Sequence, residues 1–141
     1  PDYLFVVVNP LPPGLADATE HRGRVPLPHL GRRTRPQLSA IITHTVLITH
    51  HYQPLKAVED VRKYAERHAD CGRRGSDYLF HMILDGMVDE YAPVVEWLGD
   101  RLDVLERKMF RRPSGKELHE LLGLKRRVTF LRKTLTLERE V

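Results

Sequence analysis

The stretch from Ser76 to Met109 reads as one long helix carrying an acidic cluster, Asp85, Asp89 and Glu90, and it limits the folds open to this chain. Past Pro93, the residues Leu98, Leu102, Leu105 and Met109 alternate spacings of four and three, which keeps them on one helical face. Such a stripe needs an apolar partner. Leu121, Leu124, Val128, Leu131 and Leu135 repeat the pattern after the break Arg111-Arg112-Pro113-Ser114-Gly115, so the expected arrangement is a long antiparallel helix pair. Gly86 and Pro93 fall inside the first helix, and an uncompensated interior proline costs about 3 kcal/mol, so a bend is expected near Ala92 and Pro93.

Upstream the patterning changes. Tyr3 to Val8 is a β-branched and aromatic run closed by Asn9-Pro10, the signature of a buried strand entering a turn. From Leu11 to Arg35 the chain is dense in Pro, Gly, His and Arg without periodicity, which predicts an exposed loop. Leu38 to Thr43 and Val46 to His50 flank His44-Thr45 and predict a hairpin, although the usual glycine-containing turn is absent. After Pro54, Leu55, Val58, Val61, Tyr64 and Ala65 fall at helical spacing with charged residues opposite, as for a helix lying on a sheet. That helix is expected to end near Cys71-Gly72. Gly72-Arg73-Arg74-Gly75 then interrupts the chain, leaving Ser76 to cap the next helix. The fold class is therefore α+β, a small sheet with a packed helix followed by a long antiparallel helical hairpin. The expected division is residues 1–75, with an exposed basic loop over 10–36, and residues 76–141.

Composition narrows the function classes. At 141 residues there is room for one core, and 41% hydrophobic with 30% charged residues is ordinary for a helix-rich soluble domain. A single cysteine, Cys71, excludes an internal disulfide and a thiolate metal set, and reads as an ordinary loop or helix-end thiol. The net charge of +4 comes largely from Arg22, Arg24, Arg32, Arg33 and Arg35 and from Arg126, Arg127, Arg132 and Lys133. The aromatic residues sit in apolar patterns instead of alternating with these cations, so a solvated surface is favoured over nucleic-acid binding. No phosphate loop, nucleophile elbow or marked catalytic grouping appears, so no enzyme is expected. No stretch approaches the roughly 18–20 apolar residues that a membrane-spanning helix needs. Tyr3–Val8 and Ala40–Ile48 are short and the second is broken by Thr and His.

Asp85 and Asp89 lie four residues apart and project from one helical face, one turn from each other. With no Lys or Arg four residues away on the same stripe, the pair is a hard-oxygen site suited to a hydrated divalent cation such as Mg2+, which touches one or two carboxylates and keeps most of its waters. Spacing alone favours a solvated acidic face or a pair of caps to neighbouring strands. His44, His50 and His51 cluster around the expected hairpin and invite comparison with a zinc site. Adjacent residues on a strand point to opposite faces, however, and no third spaced ligand completes a tetrahedral set. His81 is expected to be a packing residue at the domain junction.

The run Leu84-Asp85-Gly86-Met87-Val88-Asp89-Glu90-Tyr91 resembles the CorA family of magnesium and cobalt transporters, whose cytosolic part carries a Leu-Leu-Asp-x-Ile-Val-Asp-x-Tyr run at the start of a long helix. Val46-Leu47-Ile48-Thr49-His50 resembles the family's strand motif. Leu124-Lys125-Arg126-Arg127-Val128, Leu131-Arg132-Lys133 and Leu137-Glu138-Arg139-Glu140-Val141 resemble its Leu-Lys-Arg, Leu-Arg-Lys and Leu-Arg-Glu-Val helix. The resemblance runs from about Tyr3 to Val141 and is loose between Pro10 and Pro36. It implies a regulatory, Mg2+-sensing and gating domain on the cytoplasmic face of the membrane, part of a homopentamer reaching the bilayer only through C-terminal helices not present here. The family's Gly-Met-Asn signature is absent, since Gly86-Met87 is followed by Val88. Pro1, directly before an apolar strand, reads as an incomplete start. The positions matching the family's regulatory acids are Asp85 and Asp89, Asp85 first, with the remaining site carboxylates expected on a stalk helix past Val141. Co2+ and Zn2+ are the alternative ions. The alternative functions are a zinc-transporting relative and a free-standing helical-hairpin interaction module.

Overall fold

A computed structural model of the chain describes residues 2–12, 15, 36–111 and 115–138. Strands β1 (Leu4–Val8), β2 (Leu38–Ile42) and β3 (Leu47–His51) form an antiparallel sheet in the order β1-β2-β3. The register sets Val6 opposite Ala40 and Ala40 opposite Thr49. Because side chains alternate across a strand, Val6, Val8, Leu38, Ala40 and Ile42 share one face, and all are buried. On the other face Phe5, Ile41 and Ile48 form a row across the strands, with Phe5 56% and Ile48 55% exposed. The buried strand expected at residues 3–8 is thus buried on one face only. The predicted β2–β3 hairpin is present, and its glycine-free turn is closed by Thr43. The Thr43 hydroxyl accepts from the Val46 amide at 2.9 Å and from the Thr45 amide at 3.4 Å, and the Thr43 amide donates to the Val46 carbonyl at 2.9 Å.

Helix α1 (Lys56–Arg67) follows, then a short 3-10 helix (Ala69–Arg74) and helix α2 (Ser76–Asp89). Ala57 and Val61 of α1 and Phe80, Ile83 and Met87 of α2 join the inner sheet face in one core. Each fully buried aliphatic or aromatic side chain contributes about 1.5–3 kcal/mol. Outside, Arg62 of α1 pairs with Glu59 and Glu66, each at 2.8 Å, exposed links worth little to stability. Gly86 allows α1 and α2 to approach closely, since a Cβ there would lie 3.2 Å from the Ala57 Cβ. The glycine that weakens a helix in isolation here sits at a tight helix–helix contact.

Three expectations change at this level. Ser76 is not the cap of α2: Gly75 holds that position at φ 93°, and the Ser76 hydroxyl donates instead to the Thr43 carbonyl, tying α2 to the hairpin turn. The single helix expected over Ser76–Met109 is two helices, α2 and α3 (Ala92–Arg111), separated at Glu90–Tyr91. Pro93 lies in the first turn of α3, where its missing N–H has no intrahelical partner to lose, so the expected bend is a helix start. The Val94 and Val95 amides both donate to the Tyr91 carbonyl at 3.1 Å. The loop expected to be exposed over 10–36 begins and ends with buried residues, Pro10, Leu11 and Pro36. Residues 16–35 lie outside the described residues.

The described residues form two compact units, with the sheet, α1, the 3-10 helix and α2 in one and α3 with α4 (Gly115–Glu138) in the other. In the second, Val94, Leu98 and Leu105 of α3 are buried, as are Leu124 and Leu131 of α4. Arg101 pairs with Glu120 at 2.5 Å, and the Arg127 guanidinium lies 5.0 Å from the Trp97 ring centre. Moving back along α3 from Arg101 to Trp97 moves forward along α4 from Glu120 to Arg127, the antiparallel hairpin expected from the two leucine series.

Candidate metal site

Helix α2 turns Phe80, Ile83 and Met87 into the core, and this fixes what faces outward. At 100° per residue, the outer surface is left to Asp77, His81, Asp85, Val88 and Asp89, and all five are exposed. Asp85 and Asp89 stand one turn apart, as their spacing requires. The helix contains no Lys or Arg, although the whole chain carries a net charge of +4. Neither carboxylate takes part in a hydrogen bond or ion pair among the described residues. Like charges at this spacing destabilise a helix by about 0.2–0.5 kcal/mol, and Asp89 also meets the negative end of the helix dipole. A cation held between the two carboxylates would offset both costs. Exposed oxygens with room for water suit a hydrated hard ion rather than a dehydrated cage.

The third acid of the cluster has a different environment. Glu90, just past the helix end, is half-buried, and burial raises its pKa above the ordinary carboxylate range; Lys56 opposes that shift and Asp60 adds to it. Among the described residues no group of three or more His, Cys, Asp or Glu side chains could hold a metal ion, and Asp85 and Asp89 stand as a pair of exposed carboxylates.

The histidines separate. His50 is exposed on the outer sheet face and packs edge-on against Tyr52 at 4.9 Å, whereas His51 is half-buried on the opposite face with its Nδ1 2.7 Å from the Gln53 carbonyl. His44 stands exposed in the turn. His81, expected to be a packing residue, is exposed on the same face as Asp85. The signal for this was available in the sequence, because on a helical projection position 81 lies at least about 100° from each of Phe80, Ile83 and Met87. Cys71 is buried, its thiol 3.9 Å from the Ala65 carbonyl.

In the second unit an open groove is lined by Leu102, Leu105, Glu106, Met109, Phe110 and Leu121. Its lining is apolar apart from Glu106 and offers no metal-binding set. No helix among the described residues is long and apolar enough to cross a membrane.

Comparison with known proteins agrees with the arrangement of motifs. Residues 18–141 match the family model described as CorA-like Mg2+ transporter protein. The chain is 36% identical over 69 residues, 49% of its length, to a cobalt/magnesium transport protein CorA of Thermotoga maritima. It is 26% identical over 110 residues, 77% of its length, to a protein of the same name from Methanocaldococcus jannaschii. A third relative, the magnesium transporter ALR1 of Saccharomyces cerevisiae, is 25% identical over 99 residues, 70% of the chain. The alignments span 20%, 35% and 11% of those proteins' own lengths. By the extent of the family match, the chain belongs to the CorA-like Mg2+ transporter family.

Proposed function

We propose that this chain is the regulatory part of a divalent-cation transporter, in which the outer face of α2 senses Mg2+ through Asp85 and Asp89. The observation that carries the reading is a helix whose exposed face concentrates carboxylates and which contains no Lys or Arg, in a chain of net positive charge. The carboxylates orient a hydrated Mg2+ through its waters or through one direct oxygen, and the ion supplies the charge that offsets their repulsion. Completion of the coordination shell by a neighbouring subunit would link ion binding to assembly. On this reading the domain lies on the cytoplasmic side of a homopentamer, and the ion favours whichever gating state brings the second ligand set within reach. The ion can shift the gating equilibrium only by its differential affinity for the two states.

Thermal unfolding tests the reading. Binding to the folded chain raises Tm by mass action, so millimolar Mg2+ should raise the Tm of the wild type. The increase should shrink in Asp85→Asn and in Asp89→Asn. Equal increases in all three proteins would overturn the assignment.

A further inference from the structure

We infer that the closed end of the α3–α4 hairpin binds an anionic phospholipid surface, with Arg107 and Lys108 meeting the headgroups and Phe110, with the groove beside it, meeting the acyl chains. From Arg107 to Lys116 the sequence carries five cations, Arg107, Lys108, Arg111, Arg112 and Lys116, and no acid. The nearest acids in sequence, Glu106 and Glu117, flank this run. Because α3 ends at Arg111 and α4 begins at Gly115, the whole run lies where the chain reverses between the two helices. Arg107, Lys108 and Phe110 are all exposed, Phe110 at 84%.

A bare aromatic ring next to cations suits the headgroup boundary of a bilayer, where the apolar body enters and the charged tips stay wet. The Phe110 ring also lines the open groove of about 610 Å³ with Leu102, Leu105, Met109 and Leu121, and Glu106 is the one charged residue of that lining. Leu118 and Leu122, in the first turns of α4, add exposed apolar surface at the same end. Clusters of about four to eight Lys or Arg are attracted to anionic lipid, and the five here fall in that range. Two other occupants fit less well. A second copy docked end to end on a twofold axis would bring two such basic runs together, and their like charges oppose it. Single-stranded nucleic acid would accept the cations but is bound on successive aromatic platforms, whereas this run holds one ring. An anionic bilayer satisfies the cations and the apolar surface together.

The inference stands apart from the proposed function, since no residue of α2 takes part in it. Co-sedimentation of the whole chain with vesicles of phosphatidylcholine alone, and of phosphatidylcholine mixed with phosphatidylserine, tests it. Binding should be at least about tenfold tighter to the anionic vesicles and should weaken as salt is added. The double variant Arg107→Gln with Lys108→Gln should bind them about tenfold more weakly. Phe110→Ser should lose about tenfold as well, through the apolar contact. Both variants change exposed side chains and should keep the wild-type Tm. In Phe110→Trp the added indole emission should shift to the blue on anionic vesicles, as the ring leaves water. Equal binding to the two kinds of vesicle, binding to neither, or full binding by Phe110→Ser would overturn the inference. Tighter binding of single-stranded DNA than of anionic vesicles would overturn it in favour of nucleic acid. Self-association abolished by Phe110→Ser, without vesicle binding, would overturn it in favour of a second copy.

Discussion

At the scale of single residues, two glycines and one glutamate give the sharpest tests. Gly75 sits at φ 93°, and a Cβ there would run into the Asp77 carboxylate. Gly75→Ala should therefore cost about 1–2 kcal/mol, read as a lower denaturation midpoint at unchanged slope. Gly86 faces Ala57 across the α1–α2 contact, so Gly86→Leu should destabilise by about 1–3 kcal/mol through overpacking, even though leucine favours helix over glycine. The pKa of Glu90 is raised in the fold by burial. Its contribution is thus most favourable at low pH and is lost as pH rises through the folded value. Glu90→Gln should accordingly be more stable than wild type at neutral pH, with the difference closing below about pH 4, where both states hold the proton. A constant difference across pH would contradict that origin. The role of Ser76 was illegible locally, because serine after glycine reads as a cap and its actual partner, the Thr43 carbonyl, is 33 residues away in sequence.

At the scale of elements, periodicity decided what could be foreseen. The hairpin strands and the two leucine series are visible as alternation and as four-three spacing, and all appear as secondary structure. How far each face is covered was not visible. Leu98, Leu105, Leu124 and Leu131 are buried, while Leu102, Val128 and Leu135, members of the same series, are exposed. A helical apolar stripe is about 100° wide, and one partner helix covers only its middle. Leu105→Ala should cost about 2–5 kcal/mol, whereas Val128→Ala should fall within about 0.5 kcal/mol of wild type. Similar losses at both positions, measured by chemical denaturation, would mean that Val128 is covered after all. The break between α2 and α3 was foreseen as a bend two residues late, because Pro93 attracts the boundary in a sequence reading although a proline is accommodated in a first turn.

At the scale of the whole molecule, family membership and the acidic face of α2 carry the functional account together. The acid pair was legible because four-residue spacing on a helix fixes a shared face. The absence of Lys and Arg between Arg74 and Arg101 was legible too, whereas the lack of an ion pair to the two acids from any other described element needed the fold. The decisive measurement is an NMR titration of the chain with MgCl2, following backbone amides in the wild type and in Asp85→Asn. The account predicts saturable shifts confined to residues around 81–90 that are lost or weakened in the variant. Shifts centred elsewhere, or identical in the two proteins, would contradict the assignment of Asp85 and Asp89 as the sensing site.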